Sequence, residues 1–336
     1  MNKPHDVQCT QIGRLRCSIA DKNNASIFFS LVDYRNNLFT SNDPKRIMEF
    51  YEGFENQEQT IQWMKERPKG VSYIHEVEGD KDIIVVIPTA DFNGKYAREC
   101  RDNIFKGLHI VFIESGGRDD FYFNYAHNCN IGIKKAMEYS PKWILVSNDD
   151  MYKIDDIKVL KNELSKIDLR DYDVVFTYPS KYHSIPDNLG MENILRKIVF
   201  TFFPGRRMQK KIERKFNVTL FPAPVHSYFR FFYKPGYRYI SFADFSIFSG
   251  SFVGEKNGEL FNEDFVNGGE DNDLSLKVSL RRERYTFINY RIGDYQGRSL
   301  GTGTLRQLRN VTALMLLNYM IDNDLHPASE EIKKYI

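Results

Sequence analysis

Two acid-rich motifs in the sequence contain residue types that could do chemistry. The first, Asn148-Asp149-Asp150, directly follows an apolar Trp-Ile-Leu-Val run at 143–146. Adjacent carboxylates and an amide suit a hard divalent cation, because Mg²⁺ and Mn²⁺ prefer carboxylate and water oxygens and complete their coordination with substrate phosphate. The alternative is that one aspartate caps the next helix. The pair alone does not decide between the two interpretations.

The second motif is Gly268-Gly269-Glu270-Asp271. Two glycines permit a tight turn and a close approach of substrate, and the acids follow where a helix would begin, so that the helix dipole favours their ionised forms. An ionised carboxylate can accept a proton from an attacking hydroxyl. The alternative is an acid-rich helix start that only satisfies backbone donors. Taken alone, the motif fits that alternative better.

The elements that must position these motifs are predicted from hydrophobic periodicity. Short apolar runs occur at 83–87, 109–113, 143–146 and 174–177, and helical spacing occurs between them at 95–105, 128–139 and 154–167. This β-α-β-α-β-α-β order predicts an α/β domain with a right-handed, doubly wound sheet flanked by helices, in which ligands bind at the carboxyl ends of the parallel strands. The Asn148-Asp149-Asp150 motif falls at that edge.

The chain has 336 residues, which fits one large domain with appendages. The residue pairs Asp43-Pro44 and Arg67-Pro68 read as a helix start and a helix stop. Changes in periodicity predict four parts: an N-terminal accessory segment at 1–80, the main domain at 81–302, a basic aromatic insertion within it at about 180–245, and a C-terminal helical segment at 303–336.

Composition excludes several classes of protein. Hydrophobic residues make up 42% and charged residues 27% of the chain, which excludes disordered, collagen-like and coiled-coil classes. The four cysteines lack the paired spacing of a zinc site, and the N-terminus does not resemble a secretory signal, so we expect a cytoplasmic protein. No apolar run approaches the roughly 20 residues that span a bilayer.

The segment 194–238 concentrates positive charge and aromatic rings. It holds eleven Lys or Arg, one acid (Glu213) and eleven aromatic residues. One interpretation is that it attaches the protein peripherally to the inner face of a membrane and meets the phosphate of a lipid-linked acceptor. The other is a solvated charged face over a local aromatic core. A nucleic-acid partner is not expected.

The order of short motifs along the chain resembles a known family. A first strand ends Ile-Pro-Thr-Ala at 87–90 and a second ends Ile-Glu-Ser at 113–115; Asn-Ile-Gly at 130–132, Asn-Asp-Asp at 148–150 and Gly-Gly-Glu-Asp-Asn-Asp-Leu at 268–274 follow. In that order they resemble nucleotide-sugar glycosyltransferases of the GT-A fold, especially family two, over about 82–300. The resemblance implies a Rossmann-like mixed sheet flanked by helices. The last motif is also similar to that of β-1,4-galactosyltransferases.

The resemblance implies an inverting transfer of a sugar from a nucleoside-diphosphate donor to a hydroxyl of a glycan or lipid-linked acceptor, with Mn²⁺ or Mg²⁺ as cofactor. It implies that Asp271 is the general base, that Glu270 and Gly269 contact the acceptor, and that Asp150 and Asp294 bind the metal. It also implies a donor site, with Glu114 at the base-reading position, formed by Pro88, Thr89, Ala90, Asp91, Glu114, Asn130, Asn148 and Asp149.

Three positions depart from the family pattern. Asn148 stands where the first Asp of an Asp-X-Asp motif is usual, Cys129 where an Arg is often found, and Asp294 where a His commonly binds the metal. The first two departures remove charge that would act on the metal and the diphosphate. The third keeps a ligand type that suits a hard ion.

Two other functions remain open at this point. One is a non-catalytic protein that binds a glycan or a lipid surface on the same fold. The other is a nucleotidyltransferase, which would be expected to have a glycine-rich, basic phosphate loop after the first strand. Residues 89–95 do not form such a loop, since they contain one glycine and one lysine.

Overall fold

The structure is a computed structural model, and it describes residues 44–115, 122–177, 245–279, 284–295 and 311–330. These residues form a seven-stranded mixed sheet flanked by helices, and a separate two-stranded sheet. The predicted α/β class is therefore confirmed. The segment 194–238, most of the predicted insertion at 180–245, and residues 303–310 lie outside the described residues.

The helices are α1 (Pro44–Glu52), α2 (Gln57–Glu66), α3 (Lys95–Glu99), which a π-helical turn extends over Cys100–Ile104, α4 (Tyr125–Met137), α5 (Ile157–Leu164), α6 (Gly250–Glu255), α7 (Glu270–Ser279) and α8 (Val311–Asp322). The strands are β1 (Tyr73–Val77), β2 (Asp80–Thr89), β3 (Leu108–Glu114), β4 (Trp143–Ser147), β5 (Met151–Lys153), β6 (Val174–Thr177), β7 (Phe245–Ser249), β8 (Tyr285–Ile288) and β9 (Ile292–Asp294).

The seven-stranded sheet has the order β1-β3-β2-β4-β7-β6-β8. Strands β2, β3 and β4 pair in parallel, whereas β7 runs antiparallel between β4 and β6. Strand β1 is antiparallel to β3 at one edge, and β8 is parallel to β6 at the other. As a result, β2, β3, β4, β6 and β8 all present their carboxyl ends at the same edge of the sheet.

The central strands are buried on both faces, which explains their unbroken apolar sequences. In β2, Ile84 and Val86 belong to the core beneath α4, while Val85 and Ile87 belong to the opposite core beneath α3 and α5. Helix α4 lies close to the sheet at Gly132, where a Cβ would be 2.4 Å from Cγ1 of Val86. A larger residue there would push the helix away from β2.

The predicted strands agree with the observed ones to within a few residues, and two differences affect the site. Helix α4 begins at Tyr125, three residues earlier than predicted, because the Asn124 side chain accepts a hydrogen bond from the backbone N–H of His127 and caps the helix. Strand β1 lies inside the predicted accessory segment but pairs with β3, so the end of that segment adds an edge strand to the main sheet.

None of the helices in the described ranges is both long and apolar enough to cross a membrane.

Candidate active site

Seven of the eight predicted donor residues gather at the carboxyl edge of β2, β3 and β4; the eighth, Asn130, lies inside α4. Thr89 at the end of β2 stands opposite Glu114 at the end of β3, and Asn148-Asp149-Asp150 follows β4 on the other side of β2. Pro88 is buried in β2 opposite Ile113. The parallel register thus brings three chain segments, far apart in sequence, to one edge.

The loop after β2 continues this edge into solvent. Ala90 and Asp91 are exposed, and the Asp91 carboxylate accepts a hydrogen bond from the backbone N–H of Asn93 at 2.8 Å. Gly94 then precedes α3 as its N-cap. These two predicted donor residues are therefore accessible to a ligand at the strand ends.

Asp149 is held by a hydroxyl group rather than by a cation. Its Oδ2 accepts a hydrogen bond of 2.7 Å from Oγ1 of Thr89. Burial raises the pKa of Asp149 to about 6; the Thr89 hydrogen bond opposes this shift and the charge of neighbouring Asp150 adds to it. The carboxylate of Asp149 is therefore fixed against the end of β2.

Asp150 and Asp294 are neighbours across the two-stranded sheet of β5 and β9. Asp294 stands opposite Met151, and the backbone N–H of Tyr295 donates to the carbonyl oxygen of Asp150 at 3.0 Å. Asp150 is buried and Asp294 is partly exposed. The backbone positions of the two predicted metal ligands are thus adjacent although 144 positions separate them in the sequence.

The carboxylates at these positions suit only one kind of metal site. Across the described ranges, no group of three or more His, Cys, Asp or Glu side chains is arranged to hold an ion. Two carboxylates suffice for Mg²⁺ or Mn²⁺ only when water and substrate phosphate supply the remaining ligands, which is the usual arrangement in phosphate-transfer sites. The residues fit such a shared site and do not fit an all-protein cage.

Tyr125 connects the two acid-rich motifs. Its backbone N–H donates to Oδ1 of Asn267 at 2.9 Å, and its hydroxyl donates to Oδ1 of Asn148 at 3.1 Å. The Asn267 side chain in turn donates to the carbonyl oxygen of Phe123 at 3.0 Å. The first residue of α4 therefore joins the loop before α7 to the segment after β4.

The loop before α7 is held by two further side chains of the α4 region. Asn130 donates to the carbonyl of Phe261 at 2.8 Å and to Oε1 of Glu263 at 3.0 Å, and its own oxygen accepts from two backbone N–H groups of the loop. His127 lies 2.7 Å from Oε2 of Glu263 and lowers the pKa of that carboxyl. Asn130 was predicted to bind the sugar donor. Its side chain instead holds the loop before α7, a role that the sequence did not indicate.

Helix α7 begins at a backbone position that requires glycine. Gly269 has a φ of +95°, and a Cβ there would lie 2.5 Å from Cβ of Ala313 and 2.8 Å from the ring of Phe265. Glu270 is buried, whereas Asp271 is half-buried and its Oδ1 accepts a hydrogen bond of 2.8 Å from the backbone of Asn272. The predicted base therefore lies in the first turn of a sterically fixed helix.

The body of α7 packs on the same side of the sheet as α4. Leu274 and Val278 of α7 share a core with Cys129 and Ile133 of α4 and with Val146 of β4. The acidic first turn of α7 consequently lies in the same layer as α4. The first residue of α4, Tyr125, contacts Asn148. The segment 148–150 thus reaches the α4 and α7 layer through Asn148, whereas Met151, directly after it, belongs to the opposite core.

Glu114 has two partners that sequence reasoning missed. Its Oε2 lies 2.6 Å from Nε2 of His75 on β1, and its Oε1 accepts a hydrogen bond of 3.3 Å from the backbone N–H of Phe92. No sequence signal identifies His75, because its contact depends on the register of β1 against β3. Asn124, by contrast, could have been found as a capping residue type just before the predicted helix.

Comparison with known proteins adds no family assignment. No protein-family model matches the chain, and no curated protein matches it in sequence.

Proposed function

We propose that the protein is a metal-dependent, inverting glycosyltransferase of the GT-A type, which moves a sugar from a nucleoside-diphosphate donor to a hydroxyl acceptor. The fold class supports this, since ligands bind at the carboxyl edge of parallel strands in such sheets. Glu114, Thr89 and the segment 148–150 lie along that edge. This function places the diphosphate near Asp150 and the acceptor near Asp271.

The observation that carries the proposal is the double contact of Tyr125. A glycosyltransferase of this kind needs a carboxylate base across a cleft from the leaving group, so its two acid motifs must share one cavity wall. Tyr125 hydrogen bonds to Asn148 of one motif and to Asn267, four residues before Asp271. A structural role for each motif separately would not require this link.

Each residue then has a role that follows from its chemistry. Asp271 accepts the proton of the acceptor hydroxyl as that oxygen attacks the anomeric carbon. Gly269 supplies the positive-φ turn that sets the first turn of α7 and thereby the position of Asp271, and Glu270 supports that turn from the buried side. Because one base acts opposite one leaving group, the reaction is a single displacement with inversion, and no covalent nucleophile is needed.

A divalent cation completes the proposed site. Asp150 and Asp294 would hold it, and when bound it neutralises the charge that develops on the departing diphosphate. Thr89 keeps the carboxylate of Asp149 against β2, and Tyr125 orients the amide of Asn148. The acceptor is left as a glycan or lipid-linked glycan, because the segment 194–238 lies outside the described residues.

The test is the fate of the nucleotide in the presence of Mn²⁺. The intact protein is incubated with uridine-, guanosine- and thymidine-diphosphate sugars, and the products are separated by chromatography. Release of nucleoside diphosphate, by transfer of the sugar to an added glycan acceptor or to water, supports the proposal. Release of pyrophosphate in a parallel incubation with nucleoside triphosphates and sugar 1-phosphates assigns a nucleotidyltransferase, and binding of the donor without either release assigns a non-catalytic protein.

Asp271→Asn is the variant that tests the base. We expect it to reduce turnover by at least about a hundredfold, because general-base catalysis contributes about 10²–10⁴-fold. Binding of nucleoside diphosphate should remain unchanged. Asp264→Asn, in the same loop, is the matched control and should keep full turnover. Normal turnover in Asp271→Asn would contradict the assignment.

A further inference from the structure

Helix α7 carries a buried carboxylate that the proposed reaction does not use. Asp273 lies two residues after Asp271, and its side chain is 0% exposed. Its Oδ2 accepts a hydrogen bond of 2.6 Å from Nζ of Lys277, one turn further along the helix. Its Oδ1 lies 3.2 Å from Nε2 of His326, whose side chain is also 0% exposed. A fully buried histidine from the C-terminal segment therefore meets the acidic first turn of α7.

The turn after α8 fixes which nitrogen of His326 carries the proton. Nδ1 of His326 accepts a hydrogen bond of 3.0 Å from the backbone N–H of Ala328. A neutral imidazole has one acceptor and one donor nitrogen, so the proton lies on Nε2, the atom nearest to Asp273. Within the described part of the chain, neither Nε2 of His326 nor Oδ1 of Asp273 has another hydrogen-bond partner. Each of these two atoms thus depends on the other.

The C-terminal segment touches α7 at two points, one on each side of Asp271. Before it, Ala313 of α8 lies against Gly269, where a Cβ would be 2.5 Å from the Cβ of Ala313. After it, His326 lies against Asp273. Both contacts are two positions from Asp271 in the sequence. Helix α8 and the turn that follows it therefore set where the first turn of α7 lies.

Asp273 is placed to support Asp271 and not to share its work. Residues two apart on a helix point in directions roughly 200° apart, so these two side chains leave opposite faces of α7. Asp271 is half-buried, whereas Asp273 and His326 are fully buried and inaccessible to a substrate or a metal. A buried ion pair adds little net stability, and one known use of such a pair is to fix a unique geometry.

We propose that His326 is a positioning residue: through Asp273 it holds the first turn of α7 where Asp271 can accept the proton of the acceptor hydroxyl. The inference rests on the proposed function, because it needs Asp271 to act as the base. It goes beyond that function by giving a role to residues 311–330, which lie outside the region that resembles known glycosyltransferases.

The test compares turnover per binding site in variants of His326. The substrate is the sugar nucleotide from which the unaltered full chain releases nucleoside diphosphate with Mn²⁺, and calorimetry with that nucleoside diphosphate counts the sites and gives their affinity. In His326→Asn the side-chain oxygen can still accept from Ala328, but the amide is too short to reach Asp273. We expect turnover per site to fall about tenfold to a hundredfold, because a misplacement of about 1 Å costs that much.

Two more variants of the same residue make this result specific. His326→Gln is one methylene longer than His326→Asn, so its N–H can reach Asp273 again and should recover most of the turnover. His326→Phe fills the space of the imidazole without a donor and should show the same loss as His326→Asn. The affinity for the nucleoside diphosphate should be unchanged in all three, because the donor site does not include α7.

A matched control lies at the amino edge of the sheet. His109 is another fully buried histidine beside a carboxylate, with its Nε2 atom 3.0 Å from Oε2 of Glu76. His109→Asn should lower the melting temperature, because it removes a buried contact of the same kind. Its turnover per binding site should equal that of the unaltered protein.

The outcomes distinguish the two proposals. Unchanged turnover per site in His326→Asn and His326→Phe, or an equal loss in His109→Asn, overturns the role of His326 and leaves the glycosyltransferase proposal standing. A fall only in the number of binding sites, or a weaker affinity for the nucleoside diphosphate, does the same. No release of nucleoside diphosphate by the unaltered protein overturns the proposed function and this inference together.

Discussion

Asp80 and Asp149 lie at opposite edges of the seven-stranded sheet, and their pKa values are shifted in opposite directions. At the amino edge, Asp80 lies 2.7 Å from Lys161 and Asp173 lies 2.9 Å from Arg284. The hydrogen bond from Lys161 lowers the pKa of Asp80 below its ordinary value. At the carboxyl edge, burial raises the pKa of Asp149, whose hydrogen-bond donor is the neutral hydroxyl of Thr89.

The direction of the pKa shift helps to distinguish carboxylates that stabilise a fold from carboxylates that take part in chemistry. A carboxylate with a lowered pKa is stabilised by its surroundings and contributes to folding. A carboxylate with a raised pKa is held ionised against its surroundings, and such groups concentrate at functional sites. The acids of the amino edge therefore support the fold, and under the proposed function we expect the acids of the carboxyl edge to serve chemistry at some cost in stability.

The largest effect is expected at the carboxyl edge. Asp150→Asn removes one of two carboxylates available to the metal, and we expect turnover to fall by about a hundredfold or more, since a metal supplies several kcal/mol of transition-state stabilisation. The melting temperature should change little, because asparagine keeps the size of the side chain and can still form hydrogen bonds. Steady-state kinetics with Mn²⁺ and thermal unfolding test both parts; unchanged turnover would remove Asp150 from the site.

An intermediate effect is expected at the amino edge. Asp173→Asn leaves Arg284 without the carboxylate of a residue that is 1% exposed. Because Arg284 itself is partly exposed, we expect a loss of about 1–3 kcal/mol in the free energy of unfolding, measured in urea. Turnover below the melting temperature should be normal. A loss of turnover without a loss of stability would contradict the structural role of the acids at the amino edge.

The smallest effect concerns pH and the pair of Asp80 and Lys161. A pKa that is lowered in the folded state gives stability that is present above the unfolded pKa and is lost as the pH falls through the folded pKa. Asp80→Asn should therefore be less stable than the unaltered protein at pH 7, by up to about 1 kcal/mol for a half-exposed pair. The difference should shrink as the pH falls below about 4, the ordinary pKa of an aspartate, and vanish below the lowered pKa of Asp80 in the folded state. A difference that persists there would show that the pair is not its cause.

The parts of the fold that the sequence predicts are those fixed by local pattern. Strands β2, β3, β4 and β6 are continuous apolar runs, and the Asp43-Pro44 and Arg67-Pro68 pairs predict the start of α1 and the end of α2. The residues 148–150 were placed correctly at a strand end for the same reason. Each of these features is encoded within a few neighbouring residues.

The missed parts depend on contacts between distant segments. The antiparallel direction of β7 is set by its position between β4 and β6, not by its own composition. The two contacts of Tyr125 and the hydrogen bonds of Asn130 reach residues more than 20 positions away. The contact of His75 with Glu114 requires the exact register of β1. No local pattern specifies these pairings.

The antiparallel direction of β7 affects where the chain can accept an insertion. Strand β6 ends at Thr177 and β7 begins at Phe245, and the two pair antiparallel with Val175 opposite Ile247. Their connection therefore leaves and returns at adjacent points, as in a hairpin, where about two to five residues suffice to join the strands. We therefore expect the sheet to tolerate a change in the length of the chain between Thr177 and Phe245. The chain thus has an insertion point at the same edge as its acids.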